Sequence, residues 1–557
     1  MSVGVPEGSW RRTRRRGIAA GCALTAAAVV GTASAADPPP VATRLFPAGG
    51  AAGSTVTVKA EGTFPRWPVQ IWTDRPGTTW KPLEEKGAFE VTIAPADSVG
   101  VHRVRLFDAV GTAALRRFVV GTTAEAVETE PNNRPSEAQR VSSLPVTVNG
   151  VLDKAGDVDC FAVVLDAGQT LVASLDAHGA LGSPVDAVLE LVSETGGYLA
   201  RTLDTRGLDP RIVFTARRAG VVVVRVYGFP AEPNQTIGLA GASDYVYRLA
   251  LTTGPVVAAA LPAAVGSGGA TKVTAIGWNL PAAPPTRDVT ALPDARRIWI
   301  PFDGVCGAVE LPVVAMPVTA FVPAGGSEPP PAVMPPIVAG GWFDAPSREA
   351  ILRITAAKDA SLAIAVEAIG HGSEADPTLE IRDPSGAVVL AKGERDAAFS
   401  WKSPADGDFT IALRDRRGGF GPGHFFRVSV EPEKPEVRAT TEADAVSGTV
   451  GGKVEIAIAV ERLRGWKQPV EFALVDPPAG VSAATVTSAA EGDTAKKVTL
   501  TIEATGPCAG PLTIAARTPA AEGVAAATVA DVLAGKERLP VLWLTVQPAP
   551  AEEPKKP

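Results

Sequence analysis

The sequence has 557 residues and a formal net charge of −7, with 46% apolar and 20% charged residues. This apolar content excludes a disordered chain, and the acidic balance gives no basis for nucleic acid or an anionic membrane as a partner. Fifty-six glycines and 50 prolines, spread along the chain, argue against long helices and favour short strands joined by turns. With a length that predicts roughly three to five domains, we expect an all-β chain of several domains.

Residues 1–36 have the three parts of a secretory signal peptide. Arginines at 11, 12 and 14–16 precede an apolar run from Ile18 to Val30, and small residues follow at 33–36. We expect cleavage after Ala35 or Ala36 and export to the periplasm, the cell surface or the extracellular space. The paired arginines leave a twin-arginine route open. No later segment is apolar for long enough to span a membrane as a helix.

Residues 42–123 have the pattern of one all-β unit. A Gly-rich turn leads into the alternating strand 56–60, and Val104 and Leu106 alternate with arginines in a second strand. The turn, Pro47-Ala48-Gly49-Gly50, is similar to the opening of immunoglobulin-like domains of the transcription-factor and plexin type. That resemblance implies an immunoglobulin-like β-sandwich.

The most informative stretch runs from Glu128 to Phe161. An acidic segment, Glu128-Thr129-Glu130-Pro131-Asn132-Asn133, precedes Asn149-Gly150-Val151-Leu152, and Asp157-Val158-Asp159 then enters an apolar alternation typical of a strand. Pro131 excludes the acidic segment from a helix interior or a central strand, so we interpret it as a linker against the mouth of a domain. Carboxylates and amides are hard oxygen ligands of the kind that Ca²⁺ takes six to eight of.

With Gly182-Ser183-Pro184-Val185-Asp186 and the closing Asp244-Tyr245-Val246-Tyr247-Arg248-Leu249, these motifs make residues 124–254 resemble a bacterial pre-peptidase C-terminal domain. The resemblance implies a small jelly-roll-like β-sandwich, of the kind appended to secreted proteases and other exported proteins. Collagen-binding relatives hold Ca²⁺ between the acidic linker and the early Asp pair. By resemblance, that role falls on Glu128, Glu130, Asn132, Asp157 and Asp159. The alternative is a solvated acidic linker with ordinary turn aspartates.

The chain then repeats this two-domain unit. Four positions of the first unit (Pro47, Gly53, Val58 and Gly62) recur 215 residues later, and Gly182, Asp186 and Leu189 recur 190 residues later. The repeat predicts a second immunoglobulin-like unit at 255–333 and a second pre-peptidase-like sandwich at 334–432. The second sandwich lacks the ligand set, because Ser347-Arg348-Glu349 stands where the first has Asp157-x-Asp159.

A last β unit is expected at 433–547, followed by a disordered tail at 548–557. The chain as a whole is therefore predicted to be all-β, a string of about five β-sandwich domains, some immunoglobulin-like and some jelly-roll-like. Only Cys160, Cys306 and Cys508 follow the signal peptide, an odd number in three different domains, so cores rather than disulfides are expected to hold the fold.

No common catalytic motif occurs in the sequence. There is no Gly-x-Ser-x-Gly elbow, His-Glu-x-x-His pair, P-loop or dinucleotide fingerprint, and none of the four histidines has a second His or a Cys at ligand spacing. Trp67 and Trp80, in Pro-flanked turns, leave a sugar-binding platform open, although single Trp residues in β domains more often pack in the core.

We therefore predict an exported, non-catalytic binding or scaffolding protein. Its partner would be an extracellular or envelope protein or a polysaccharide, with no nucleic acid and no membrane span. Ca²⁺ would stabilise the linker of the first pre-peptidase-like domain. The alternatives are an accessory chain of a secreted peptidase or other hydrolase, and an enzyme with an unfamiliar site.

Overall fold

The computed structural model describes residues 38–549, except 96–97, 233, 236–237, 294, 327, 395 and 521–526, so the predicted signal peptide and most of the predicted tail lie outside the described residues. The regular secondary structure of the described chain is almost entirely β-strand, with one four-residue α-helix and short 3₁₀ turns, which confirms the all-β prediction. Five large apolar cores follow one another along it. We number the corresponding domains 1 (38–123), 2 (124–254), 3 (255–317), 4 (318–432) and 5 (433–549).

Domain 1 packs two four-stranded sheets around its core. Alternation fixes the faces: Val58 and Ala60 are buried, whereas Thr57 and Lys59 are exposed. The sheet orders are β1-β3-β6-β5 and β2-β8-β7-β4. The strands are β1 (Val41–Phe46), β2 (Gly49–Ala51), β3 (Thr55–Thr63), β4 (Gln70–Thr73), β5 (Thr78–Pro82), β6 (Ala88–Ile93), β7 (Gly100–Phe107) and β8 (Arg116–Gly121).

Domain 2 packs two five-stranded sheets, in the orders β10-β12-β17-β14-β15 and β16-β13-β18-β11-β9. The central strands are rich in Val and Leu, and they bury one face against the opposite sheet. The elements are β9 (Ala124–Val127), β10 (Gln139–Arg140), β11 (Val146–Val151), β12 (Asp159–Leu165), β13 (Thr170–Asp176), helix α1 (His178–Leu181), β14 (Val185–Ser193), β15 (Tyr198–Thr202), β16 (Arg211–Thr215), β17 (Gly220–Pro230) and β18 (Val246–Thr252). A 3₁₀ turn spans Pro135–Glu137.

Domain 3 is a smaller version of domain 1. A Cβ on Gly277 would lie 1.8 Å from the Val256 carbonyl oxygen, just as a Cβ on Gly62 of domain 1 would lie 1.9 Å from the Val41 oxygen. Only glycine fits this approach of two strands. Its sheets are β19-β21-β22 and β20-β24-β23. The strands are β19 (Val256–Leu261), β20 (Val265–Gly266), β21 (Thr271–Trp278), β22 (Thr286–Val289), β23 (Arg297–Pro301) and β24 (Ala308–Val314).

Domain 4 repeats the strand order of domain 2. Its sheets are β25-β28-β35-β30-β33 and β26-β29-β34-β31-β32, with β27 paired to β29, and these pairings place 318–333 in domain 4 rather than in the preceding unit. A 3₁₀ turn, Ile369–His371, replaces helix α1. The strands are β25 (Val318–Ala320), β26 (Val322–Pro323), β27 (Ala332–Val333), β28 (Ile337–Trp342), β29 (Ala350–Ala356), β30 (Ser361–Glu367), β31 (Pro377–Arg382), β32 (Val388–Lys392), β33 (Ala398–Lys402), β34 (Gly407–Asp415) and β35 (Phe425–Pro432).

Domain 5 is one connected ten-stranded sheet around a single core, and β43 connects it by pairing with β39, β44 and β45. Its longest strand, β38, alternates strictly between buried and exposed residues over most of its length. The strands are β36 (Glu436–Thr441), β37 (Ala445–Thr449), β38 (Lys453–Leu463), β39 (Val470–Val475), β40 (Val481–Ala483), β41 (Val486–Ser488), β42 (Lys497–Ala504), β43 (Cys508–Arg517), β44 (Thr528–Ala534) and β45 (Leu542–Gln547).

Domain 5 also packs against domain 1, at the other end of the chain. The Trp543 ring lies 4.6 Å from the Phe107 ring and 5.8 Å from the Trp72 ring, measured between centroids. Arg105 donates to Asp444 at 3.0 Å beside these rings. The five domains are therefore held together by contacts between distant parts of the sequence as well as by their order.

Candidate functional site

The acidic linker crosses the end of domain 2 and connects its two sheets. Strand β9 runs parallel to β11, and immediately after it Glu128 N donates to Asn149 O at 3.0 Å. Four residues later, Asn132 O accepts a hydrogen bond from Cys160 N of β12, in the other sheet, at 3.0 Å. The linker is thus bound to the fold through its backbone, and its acidic side chains are placed over the end of the core.

Three carboxylates converge there, and we call Glu128, Glu130, Asn132 and Asp159 the acidic cluster. Oxygens of Glu128, Glu130 and Asp159 lie within 4.8 Å of one another. Asp159 and Asn132 are fully buried, Glu128 is half-buried and Glu130 is exposed. The cluster therefore opens to solvent on the side of Glu130, and Asp159 and Asn132 form its buried inner wall.

Asn132 contacts the two carboxylates with its side-chain amide. With the amide nitrogen turned inward, it donates to Asp159 Oδ1 at 3.1 Å and to Glu130 Oε1 at 3.2 Å. With the amide turned the other way, its oxygen faces these same two oxygens, which is favourable only when a cation lies between them. Asn132 therefore joins Asp159 to Glu130 through its side-chain amide.

Asp157, the remaining sequence-predicted ligand, is not one of the three converging carboxylates. Its carboxylate accepts hydrogen bonds from Asp153 N at 2.8 Å and from Val158 N at 3.1 Å, which closes the turn before β12. The structure thus brings together Glu128, Glu130, Asn132 and Asp159, whereas Asp157 supports the turn that carries Asp159.

Tyr247 and Gly150 complete the site, and sequence analysis did not single them out as site residues. The Tyr247 hydroxyl lies 2.6 Å from Asp159 Oδ2 and 3.0 Å from Glu128 Oε2. A Cβ on Gly150 would lie 2.3 Å from that hydroxyl and 2.5 Å from Glu128 Oε2. The only signal was that both residues lie in motifs that carry the pre-peptidase resemblance, Asn149-Gly150-Val151-Leu152 and Asp244-Tyr245-Val246-Tyr247.

Burial shapes the electrostatics of the cluster. Desolvation, followed by the charge of Glu128, raises the pKa of Asp159 to about 10, and desolvation also raises the pKa of Glu128 to about 7. The Tyr247 hydroxyl lies near both carboxylates but can donate its single proton to only one of them at a time. Without a cation near neutral pH, the pair formed by Glu128 and Asp159 therefore shares a proton, and a divalent cation would replace that proton.

The donor set fits a hard cation such as Ca²⁺. It offers three carboxylates and one amide oxygen, with solvent access at Glu130, and no nitrogen or sulfur ligand faces the cluster among the described residues. Its buried carboxylates oppose one another, which is costly unless they are protonated or neutralised by a cation.

Domain 4 has the same backbone at this place without the carboxylates. Phe321 N donates to Gly340 O at 2.7 Å, as Glu128 N does to Asn149 O. In β35, Phe426 pairs with Gly341, as Tyr247 pairs with Gly150. The rings of Phe321 and Phe426 lie 5.1 Å apart. An aromatic cluster therefore fills the space that the acidic cluster fills in domain 2.

The strand register corrects the sequence alignment of the two copies by one residue. Leu165 pairs with Gly220 in domain 2, and Ala356 pairs with Gly407 in domain 4. Counting back from these pairs, Asp159 corresponds to Ala350, and not to Glu349 as the sequence alignment gave. Glu349 is instead bound by Arg382 at 2.7 Å on the flank of domain 4.

The packing of Trp67 and Trp80 favours a core role over a sugar platform. Both half-buried rings pack edge-on against Phe89, at 5.3 and 5.7 Å between ring centroids. His102, in β7, is fully buried, and its Nε2 lies 2.6 Å from Ser98 O.

No protein-family model and no curated protein matches this sequence. Three of the solved structures that resemble it do so only distantly, each at a TM-score of 0.14. The D0-D1 domain of intimin is 15% identical over 37% of this chain and 97% of that chain. The BSP domain of a biofilm associated protein is 12% identical over 93% of this chain and 96% of that chain. Tripeptidyl peptidase 2 is 8% identical over 92% of this chain, which spans only 40% of that enzyme. Likeness at this level identifies no family.

In the described part of the chain, no helix is both long and apolar enough to cross a membrane.

Proposed function

We propose that this chain is an exported, non-catalytic binding or scaffolding protein in which a divalent cation, Ca²⁺ by the chemistry of its ligands, fixes the acidic linker to domain 2. The proposal rests above all on the acidic cluster: three carboxylates and an amide gathered at the end of one sandwich, where the equivalent sandwich has aromatic rings.

The cation would act on the position of the linker. Glu128 and Glu130 lie on the linker, whereas Asp159 begins β12 in the body of the domain. A cation held by both parts would neutralise their repulsion and join the chain leaving domain 1 to both sheets of domain 2. Ca²⁺ supplies charge and oxygen coordination only, so Asn132 and Tyr247 orient the carboxylates around it.

A scaffolding role agrees with the way the domains are joined. Ala48 and Val119 of domain 1 share an apolar cluster with Val151 and Val246 of domain 2. Val151 N also donates to Glu128 Oε1 at 2.7 Å. This hydrogen bond connects the acidic cluster directly to the junction between the two domains. Fixing the linker would therefore stiffen the angle between the two domains.

Calorimetric titration of the mature chain with Ca²⁺ tests the proposal. We expect binding of one ion per chain, abolished in Asp159→Asn and unchanged in the matched control Asp166→Asn, an exposed carboxylate of the same domain. Binding that survives in Asp159→Asn, or equal loss in both variants, would reject this site.

A further inference from the structure

A second site, separate from the acidic cluster, lies where domains 1, 2, 3 and 4 meet. A cavity of about 540 Å³ is enclosed there by strands β7 and β8, β13 and β16, β19 and β24, and the turn at 369–372. Thr122, Gly207 and Gly307 are exposed at its rim, so it is reached from solvent. Its volume is that of a small-molecule site, and domain junctions are where such sites commonly form.

Most of the charged groups in its walls are paired. Seven arginines line the cavity against four carboxylates. Arg103 and Arg117 are both neutralised by Glu537 of domain 5, which is not part of the cavity wall. Three carboxylates of the wall, Asp176, Glu310 and Glu367, are paired with Arg206, Arg297 and Arg427. Arg248 is paired with Glu125. Among the described residues, Arg211 is therefore the wall arginine that remains for an incoming anion.

Arg211 is the arginine whose charge is least compensated. In the described part of the chain, no carboxylate lies within ion-pair distance of it. Its Nε donates to Ser174 Oγ at 3.3 Å, and its guanidinium lies 5.0 Å from the centroid of the Trp278 ring. Burial and the neighbouring charge of Arg206 lower the pKa of Arg211 to about 9. An anion bound beside Arg211 would offset both the desolvation of its guanidinium and the repulsion from Arg206.

Three further polar atoms of residues in this wall have no hydrogen-bond partner among the described residues. They are Arg206 Nε and Arg248 Nε, both donors, and Asp209 Oδ1, an acceptor. Asp209 is 3% exposed, and its other oxygen accepts from Gly179 N at 3.1 Å. Buried polar atoms are normally satisfied, so this wall matches a ligand with both an acceptor and a hydroxyl donor.

We propose that this cavity binds an acidic sugar, a hydroxylated ring that carries a carboxylate. The carboxylate would pair with Arg211 and accept from Arg206 Nε, and a ring hydroxyl would donate to Asp209 Oδ1. Since four domains form the walls, the bound sugar would also hold those domains together.

Calorimetric titration of the mature chain, at about 0.15 M salt to screen non-specific attraction, tests this with glucuronate, glucose and inorganic phosphate as probes. We expect glucuronate to bind at one site per chain and glucose at least about tenfold more weakly, because a charge-assisted hydrogen bond is lost. Arg211→Gln should weaken glucuronate binding by a similar factor. The exposed Arg218→Gln, the matched control on the same domain, should leave it unchanged.

An oligomer of glucuronate tests whether the ligand is the end of a polysaccharide or a free sugar acid. Tighter binding of the oligomer indicates the end of a polysaccharide, and equal binding indicates a free acid. Arg211→Lys, which keeps the charge but not the bidentate fork, should bind with intermediate affinity, provided that circular dichroism shows all variants folded. The proposal is overturned if neither form of glucuronate binds, if phosphate binds as tightly, or if Arg211→Gln binds like the wild type. None of these outcomes depends on Ca²⁺ binding at the acidic cluster.

Discussion

Glu128 and Phe321 occupy the same position in two copies of one sandwich. Each follows the short first strand of its domain and donates its backbone N–H to the equivalent carbonyl of the next strand, at 3.0 and 2.7 Å. Domain 4, which has Phe321, shows that the same backbone arrangement forms with apolar side chains at this place. Buried carboxylates are costly by comparison. The acidic residues of domain 2 are therefore not required by the fold, which is the reason to assign them a ligand.

The acidic cluster makes stability depend on pH when divalent cations are removed. The pKa of Glu128 in the folded state, about 7, lies above its ordinary value of 4.5, so the folded state retains a proton that the unfolded state releases. This contribution is fully present below about pH 4.5 and is lost as the pH rises through about 7, by up to about 1.4 kcal/mol per pH unit for each proton.

Thermal unfolding in chelator should therefore show a midpoint that falls between about pH 5 and pH 8. The raised pKa of Asp159 extends the fall to more alkaline pH. Ca²⁺ should flatten the dependence, because it replaces the proton, and Asp159→Asn should flatten it without Ca²⁺. A midpoint that rises with pH in chelator would contradict this account of the cluster.

Tyr247→Phe tests the role of the hydroxyl that lies between the two carboxylates. Its removal leaves buried Asp159 without this donor and should destabilise the chelated protein by about 1–3 kcal/mol. The loss should be smaller in Ca²⁺, which neutralises the same carboxylate. Tyr227→Phe is the control, because Tyr227 lies on the same domain and its ring contacts Arg225 instead. Chemical denaturation measures both, and equal losses would argue against a special role for Tyr247.

Gly150→Ala should disrupt the cluster sterically. The added methyl group would lie 2.3 Å from the Tyr247 hydroxyl and 2.5 Å from Glu128 Oε2, so one of them must move. We expect Ca²⁺ binding to weaken by about tenfold or more, on the scale of a disturbed ligand shell. Gly220→Ala, where a Cβ meets nothing within 4 Å, should bind Ca²⁺ like the wild type. Titration calorimetry compares the two, and unchanged binding in Gly150→Ala would place the ion elsewhere.

Trp543→Ala should separate domain 5 from domain 1. Trp543 is 2% exposed and packs on Phe107 and Trp72, and truncation of a buried Trp costs about 3–5 kcal/mol. Small-angle scattering should then show a larger radius of gyration. Trp466→Ala, which removes a ring packed on the core of domain 5 itself, is the control and should leave the radius unchanged. An unchanged radius in both variants would mean that other contacts suffice to hold the ends together.

The sequence predicted those features that depend on local pattern. Alternation in β3 predicted a strand with one buried face, and the spacing of glycines predicted the repeat, which Gly62 and Gly277 support with the same close approach of backbone. The motifs around Glu128 and Asp159 also placed the acidic cluster in the correct stretch. These features follow from residues near one another in the chain.

Features set by contacts across the fold were not predictable. Tyr247 reaches Glu128 from 119 residues away, and no local pattern signals that contact. The counterpart of Asp159 was placed one residue off, because strand register is fixed by pairing with β17 and β34 rather than by sequence spacing. The burial of His102 in β7 likewise follows from packing within domain 1 and not from its neighbours in the sequence.

The most direct test exchanges the acidic cluster for its counterpart in domain 4. The triple variant Glu128→Phe, Asp159→Ala and Tyr247→Phe copies the aromatic cluster of Phe321 and Phe426 onto domain 2. Its thermal unfolding is compared with that of the wild type, in Ca²⁺ and in chelator. Ca²⁺ at about 100 times its dissociation constant should stabilise the wild type by about 2.7 kcal/mol and leave the folded triple variant unchanged. A Ca²⁺-dependent shift that persists in the triple variant, or no shift in the wild type, would contradict the cation site.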